Sequence, residues 1–185
     1  FDRGDKIAIT TPGYPAYRNI MVSLGLQPVS LPARAEQNWI ADLDALAASG
    51  DLPDGLLLAS PANPTGVVMS DEDIKAVCAW CDKHQVRLIM DEIYHGLGFD
   101  AATPSVLSVD PDAFVINSFS KYFGMTGWRL GWLVAPEDAV AEMEKLAQNL
   151  FISMSTMAQY AALAGVEPAT RAILDERRDT FRQRR

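Results

Sequence analysis

The chain has 185 residues, 49% of them hydrophobic and 22% charged, with a formal net charge of −8 at pH 7, which reads as a soluble globular protein with one sizeable core. The acidic balance disfavours nonspecific nucleic-acid binding, whose affinity rests on Lys and Arg neutralising phosphates, whereas a small anionic ligand needs only one or two local cations. No apolar run nears the roughly 20 residues of a membrane span, and the N-terminus lacks the basic-then-apolar layout of a signal peptide, so a cytoplasmic protein is expected.

Lys6 to Thr10 reads as a short strand, and Ile20, Met21 and Leu24 recur at helical spacing before Gly25. Leu26 to Leu31 is a second strand, and Trp39, Leu43 and Leu46 predict a helix closed by Gly50 and Pro53. The continuous apolar run Gly55 to Ala59 predicts a strand buried on both faces. It ends in Ser60-Pro61-Ala62-Asn63-Pro64-Thr65-Gly66, where two prolines and a glycine forbid regular structure. Ser70 caps the next helix, with Asp71, Glu72 and Asp73 in the first turn, where the helix dipole favours negative charge. Val86 to Met90 is another buried strand and delivers Asp91-Glu92-Ile93-Tyr94 to its carboxyl end.

Ala113 to Ile116 leads a further strand into Ser118, and Leu130 to Ala135 forms the last one. From Pro136 the pattern is helical: Val140, Met143, Leu146 and Leu150, then a Met/Ala-rich stretch from Leu150 to Ala164 that could pack against a second subunit or be core, with core favoured slightly, then a charged helix opened by Pro168. Its arginines, Arg171 to Arg185, are interleaved with Asp175, Glu176 and Asp179, as on a solvated helix face. The chain begins without Met and stops inside that charged helix, which is expected of a segment of a longer protein.

Strands alternating with helices predict an α/β fold of three layers, α/β/α, around a mostly parallel sheet. Only about ten residues separate the strand ending at Ser118 from the one starting near Trp128, too few for a parallel crossover, so this pair is expected to be the antiparallel exception. Its outer member would leave backbone groups unpaired and make the isolated chain prone to aggregation. Cys78 and Cys81 form a C-x-x-C midway along a helix rather than at its N-terminus, where a thiolate would be stabilised. They are read as reduced, part-buried thiols; with His84 they would give only a thin metal site, and no metal is expected.

In open α/β sheets ligands sit outside the carboxyl ends of the strands. Thr11 to Tyr17, Asn63, Asp91, Tyr94, Ser118 and Lys121 stand there, with Arg129 just beyond. Singly, Asn63 is a turn residue, Tyr14 and Tyr94 are half-buried aromatics, Asp91 is a helix cap and Lys121 is an exposed lysine. Jointly they suit an aldehyde cofactor with a phosphate, a ring nitrogen and a phenolic oxygen. Arg offers a planar fork to phosphate and Ser a hydroxyl, so Ser118 and Arg129 could grip an anion beside the Lys121 amine. Tyr17 and His95 stay outside this set, because proximity to a motif is weak support.

S-P-A-N-P-T-G at Ser60 to Gly66, D-E-I-Y at Asp91 to Tyr94 and S-F-S-K-Y-F-G-M-T-G-W-R-L-G at Ser118 to Gly131 resemble, in order and spacing over nearly the whole chain, the class I and II aminotransferases. These are fold-type I pyridoxal-phosphate enzymes similar to the aspartate aminotransferases. The resemblance implies pyridoxal 5'-phosphate as cofactor and transfer of an amino group between an amino acid and a 2-oxo acid. It implies that Lys121 forms the Schiff base and then moves the proton at the substrate α-carbon. Asp91 would keep the ring nitrogen protonated, an attraction of about 4 kcal/mol at 4 Å and an effective dielectric of 20 before desolvation.

By the same resemblance Asn63 and Tyr94 would donate to the phenolic oxygen and Tyr14 would stack on the ring. Ser118 and Arg129 would hold the phosphate, with Ser120 a weaker candidate. Residues 1–165 would be the cofactor-binding large domain, and 166–185 the start of the helix leading to a small domain. Further segments are implied on both sides: upstream a glycine-containing phosphate turn, downstream the arginine that pairs with the substrate carboxylate. A homodimer is implied for the complete protein. A C-S lyase or decarboxylase of the same fold, or a noncatalytic effector-binding domain, would use the same cofactor residues, and the choice among amino acids lies outside these motifs.

Overall fold

The computed structural model describes residues 1–99 and 103–185. Six strands form its sheet: β1 (Lys6–Thr11), β2 (Gln27–Pro32), β3 (Gly55–Ala59), β4 (Arg87–Asp91), β5 (Phe114–Ser118) and β6 (Gly131–Val134). The helices are α1 (Pro15–Leu24), α2 (Leu43–Ala48), α3 (Asp71–His84), α4 (Glu137–Leu150), α5 (Thr156–Val166) and α6 (Pro168–Arg184). The sheet order is β2-β1-β3-β4-β5-β6. Every neighbouring pair is parallel except β5 and β6, which run antiparallel with Ser118 opposite Gly131. This is the expected mostly parallel sheet with one reversed strand. The reversal follows from the short link, since a parallel return needs a crossover of a dozen or more residues.

Side-chain alternation divides the core between the two faces of the sheet. Ala8, Leu56, Leu58, Leu88, Met90 and Val115 point to one face and pack with Leu46 of α2 and Ile74, Val77, Cys78, Trp80 and Cys81 of α3. Their sequence neighbours Ile7 and Leu57 point to the other, where Met21 and Tyr17 of α1 cover them. Helix α3 starts where Ser70 and Asp73 form a reciprocal capping box: the Ser70 hydroxyl accepts from the Asp73 amide at 3.1 Å, and the Asp73 carboxylate accepts from the Ser70 amide at 2.8 Å.

Three sequence expectations need correction. The helix expected from Trp39 begins only at Leu43, because Asp42 caps it by accepting from the Ala45 amide at 2.9 Å. Asn38 and Trp39 have φ of 52° and 59°, which a right-handed helix cannot contain. The Met/Ala-rich stretch is not mainly core: Ala158 and Ala162 are buried, but Leu150, Phe151, Ile152, Met157, Tyr160 and Leu163 are exposed. The charged face of α6 is only partly solvated. Arg178 bridges Asp175 and Asp179 as expected of a surface, yet the Tyr122 hydroxyl donates to Asp175 at 2.8 Å, and the Arg171 guanidinium lies 5.9 Å from the Tyr122 ring centroid.

Both thiols are free and buried, and burial pushes them up, Cys78 to about 11 and Cys81 to about 12. Among the described residues no group of three potential metal ligands stands together, and no helix is long and apolar enough to cross a membrane.

Candidate active site

Strand β4 ends on Asp91, whose backbone partner on β5 is Ile116 and on β3 is Ala59. Because Met90 points into the core on the α3 face, Asp91 points to the opposite face, the one that α1 covers. It is 8% exposed. One carboxylate oxygen, Oδ1, accepts from the Ile93 amide at 3.0 Å, and the other, Oδ2, accepts from the Tyr17 hydroxyl at 2.5 Å. Burial first, then the Asp91 carboxylate, push the Tyr17 hydroxyl far above the ordinary tyrosine value, so it remains a donor. Tyr14 meets Tyr17 edge-on, with ring centroids 5.5 Å apart, and leaves its own ring 48% exposed at the rim.

The segment after β3 places Asn63 beside Tyr94, amide nitrogen to phenol oxygen 3.4 Å. The Lys121 ammonium stands 5.3 Å from the Tyr94 ring centroid. One continuous group therefore joins the Pro-rich segment, the turn after β4 and the turn after β5, as expected where neighbouring parallel strands end together.

The turn after β5 is organised around hydroxyls. Ser118 and Ser120 hydroxyl oxygens are 2.8 Å apart, Ser118 Oγ accepts from the Ser120 amide at 3.0 Å, and Thr126 Oγ1 donates to the Ser120 carbonyl at 2.7 Å. Arg129 closes the loop: Nη1 donates to the Thr126 carbonyl at 3.1 Å, with the backbone held at a left-handed φ of 54°. Gly131 follows because a Cβ there would lie 2.6 Å from the Asn117 carbonyl oxygen, so only glycine lets β6 approach β5 this closely. Hydroxyls at Ser118 and Ser120 and the four remaining guanidinium donors of Arg129 suit an anion.

The structure thus gathers the residues singled out in the sequence into three linked groups: Tyr14 through Tyr17 to Asp91, Asn63 through Tyr94 to Lys121, and Ser118 and Ser120 through Thr126 to Arg129. Tyr17 was missed. The only signal for it in the sequence is its place three residues after Tyr14 in the first turn of α1, which has no force until α1 is known to lie on the Asp91 face. His95, also set aside, faces elsewhere: its Nδ1 lies 3.3 Å from buried Glu92, which also accepts from the Ser105 hydroxyl and the Val106 amide.

A sheet of this order, parallel but for its last strand and flanked by helices, defines an aspartate aminotransferase-like α/β fold. The aspartate aminotransferase of Thermus thermophilus superposes with a TM-score of 0.93 at 28% identity, covering 100% of this chain and 49% of that one. An aminotransferase from Mycobacterium tuberculosis gives a TM-score of 0.94 at 40% identity, covering 98% of this chain and 50% of that one. In sequence, the valine–pyruvate aminotransferase of M. tuberculosis is 41% identical over 95% of this chain and 46% of its own length. The (5-formylfuran-3-yl)methyl phosphate transaminase of Methanocaldococcus jannaschii is 33% identical over 100% of this chain and 48% of its own. The chain belongs to the aminotransferase class I and II family, which it matches over residues 1–185. It spans about half the length of the curated relatives it matches.

Proposed function

We propose that the complete protein is a pyridoxal 5'-phosphate-dependent aminotransferase and that this chain carries its cofactor-binding residues. The donor set fits that group. The observation that carries the reading is the pairing of a buried carboxylate, Asp91, with an exposed primary amine, Lys121, on the carboxyl edge of one sheet. When bound, the cofactor supplies an aldehyde that takes up a primary amine and a ring that withdraws electrons.

The chain's own residues then divide the work. Asp91, fixed through both oxygens, is positioned to hold a protonated ring nitrogen, and Tyr17 keeps its carboxylate oriented. Asn63 and Tyr94 would donate to the phenolic oxygen, Tyr14 would cover the ring, and Ser118, Ser120 and Arg129 would hold the phosphate. Lys121 would hold the cofactor through its amine and would be the base that carries the substrate α-proton. On this reading residues 1–165 form the cofactor-binding domain and α6 begins the connection to a smaller one.

The test is an absorption titration of the complete protein with pyridoxal 5'-phosphate, followed by borohydride reduction and peptide mapping. A visible band trapped on Lys121, with Lys121→Ala losing both the band and transamination by about a thousandfold or more, is expected. A band trapped on another lysine would overturn the assignment. An amino-donor screen on the same sample separates transamination from elimination or decarboxylation.

A further inference from the structure

Tyr122 follows Lys121 and is itself buried, 8% exposed against an exposed Lys121. Its hydroxyl donates to Asp175 Oδ1 on α6 at 2.8 Å, and Phe123 packs edge-on at 5.1 Å. Gly96, two residues beyond Tyr94, lies directly against the ring. A Cβ on Gly96 would fall 2.7 Å from Tyr122 Cγ, and its φ of 87° also disfavours any other residue. One side chain therefore touches three segments: the turn that carries Lys121, the turn that carries Tyr94, and α6.

The surrounding contacts show what is fixed and what is left free. On the N-terminal side of Lys121 the Ser120 carbonyl is held by Thr126, and on the C-terminal side the Lys121 carbonyl accepts from the Gly124 amide at 2.9 Å. Among the described residues, the contact recorded for the Lys121 ammonium is its 5.3 Å approach to the Tyr94 ring. The relative position of those two groups depends on how the two turns are held against each other, and Tyr122 is the side chain lodged between them.

We propose that Tyr122 is a positioning residue that sets the Lys121 amine against Tyr94 by clamping both turns to α6 through its hydrogen bond to Asp175. The proposal rests on the reading of Lys121 as the reactive amine. The ring supplies the wedge, because the Gly96 backbone rests on it, and the hydroxyl supplies the anchor, because it fixes the ring to a helix outside the turn. Burial and the Asp175 carboxylate push the Tyr122 hydroxyl up, which keeps it a donor at physiological pH. Asp175 is held in turn by Arg178 at 3.1 Å, so the anchor point is braced.

The experiment uses the complete protein without cofactor. Trace acetylation with acetic anhydride, read by peptide mass spectrometry, gives the rate at Lys121 relative to the exposed reference lysines Lys75 and Lys145. Tyr122→Phe, which keeps the wedge and removes the anchor, is expected to raise the relative Lys121 rate about three- to tenfold, the equivalent of one hydrogen bond. Asp175→Ala removes the same anchor from the helix side without touching the ring and should give the same rise, while Asp175→Asn, which keeps an acceptor, should restore the parental rate. Parental Lys121 rates in both Tyr122→Phe and Asp175→Ala overturn the proposal, as does a rise shared equally by Lys75 and Lys145, which would mean general loosening. A separate cofactor titration of the parent reports on the cofactor reading, so its failure is distinguishable from failure of the clamp.

Discussion

The two faces of the sheet are closed to different degrees. On the face that α2 and α3 cover, the cluster of buried residues runs without a break from Leu31 beside β1 to Val115 on β5, and it draws in Val134 of β6. On the opposite face, α1 closes the β1 and β3 end, over Ile7 and Leu57 with Ile89 of β4 packed beside them; farther along, Ile116 is 40% and Leu133 45% exposed. Asp91 lies on this second face, between the closed end and the open one. The continuous packing of the sheet and the carboxylate proposed to meet the cofactor therefore lie on different faces. The filled face fixes the strands, and the open face leaves Ile116 and Leu133 part exposed.

The largest expected effect tests the filled face directly. Leu56→Ala removes a fully buried side chain and should destabilise the protein by about 2–5 kcal/mol, whereas Leu133→Ala at the open end should change stability by no more than about 0.5 kcal/mol. Urea unfolding of the two variants measures the contrast. Equal losses would show that the open face is covered in solution.

Tyr17→Phe sharpens the comparison at the boundary. It leaves the α1 packing in place and takes one donor from a buried carboxylate, a loss of about 1.5–3 kcal/mol for a hydrogen bond to a charged group. Urea unfolding reads the loss, and a neutral outcome would mean that Asp91 is solvated from the open side.

The smallest effect at neutral pH comes from the thiols of α3. Burial raises both, so the folded state favours the neutral forms. The stability they contribute is complete below the ordinary thiol value near 9, and it is lost as pH rises through about 11 for Cys78 and about 12 for Cys81. Unfolding midpoints measured from pH 8 to 10.5 should fall with rising pH, and Cys81→Ala should flatten that fall. An unchanged slope in the variant would place the alkaline sensitivity elsewhere, for instance at Tyr17, whose raised value predicts a loss of stability of the same sign beginning near pH 10.

The sequence by itself determined the strands, the cap of α3 and the reversal of the last strand, for a local reason. Apolar runs such as Gly55 to Ala59 leave little alternative to a buried strand, Ser70 and Asp73 make a cap wherever they stand in that spacing, and the short link after Ser118 rules out a parallel return. That Asn63, Asp91, Tyr94, Ser118 and Lys121 stand at the carboxyl edge was legible because each ends a strand or follows one within four residues, and strand ends in a parallel sheet converge. Only the tertiary structure decided which helix covers which face. That choice brings Tyr17 to Asp91, turns Tyr122 toward Asp175 rather than solvent, and leaves Met157, Tyr160 and Leu163 exposed although their composition reads as core. Periodicity specifies that a helix has an apolar side, but the partner of that side is set by packing between segments distant in sequence, about which a local pattern carries no information.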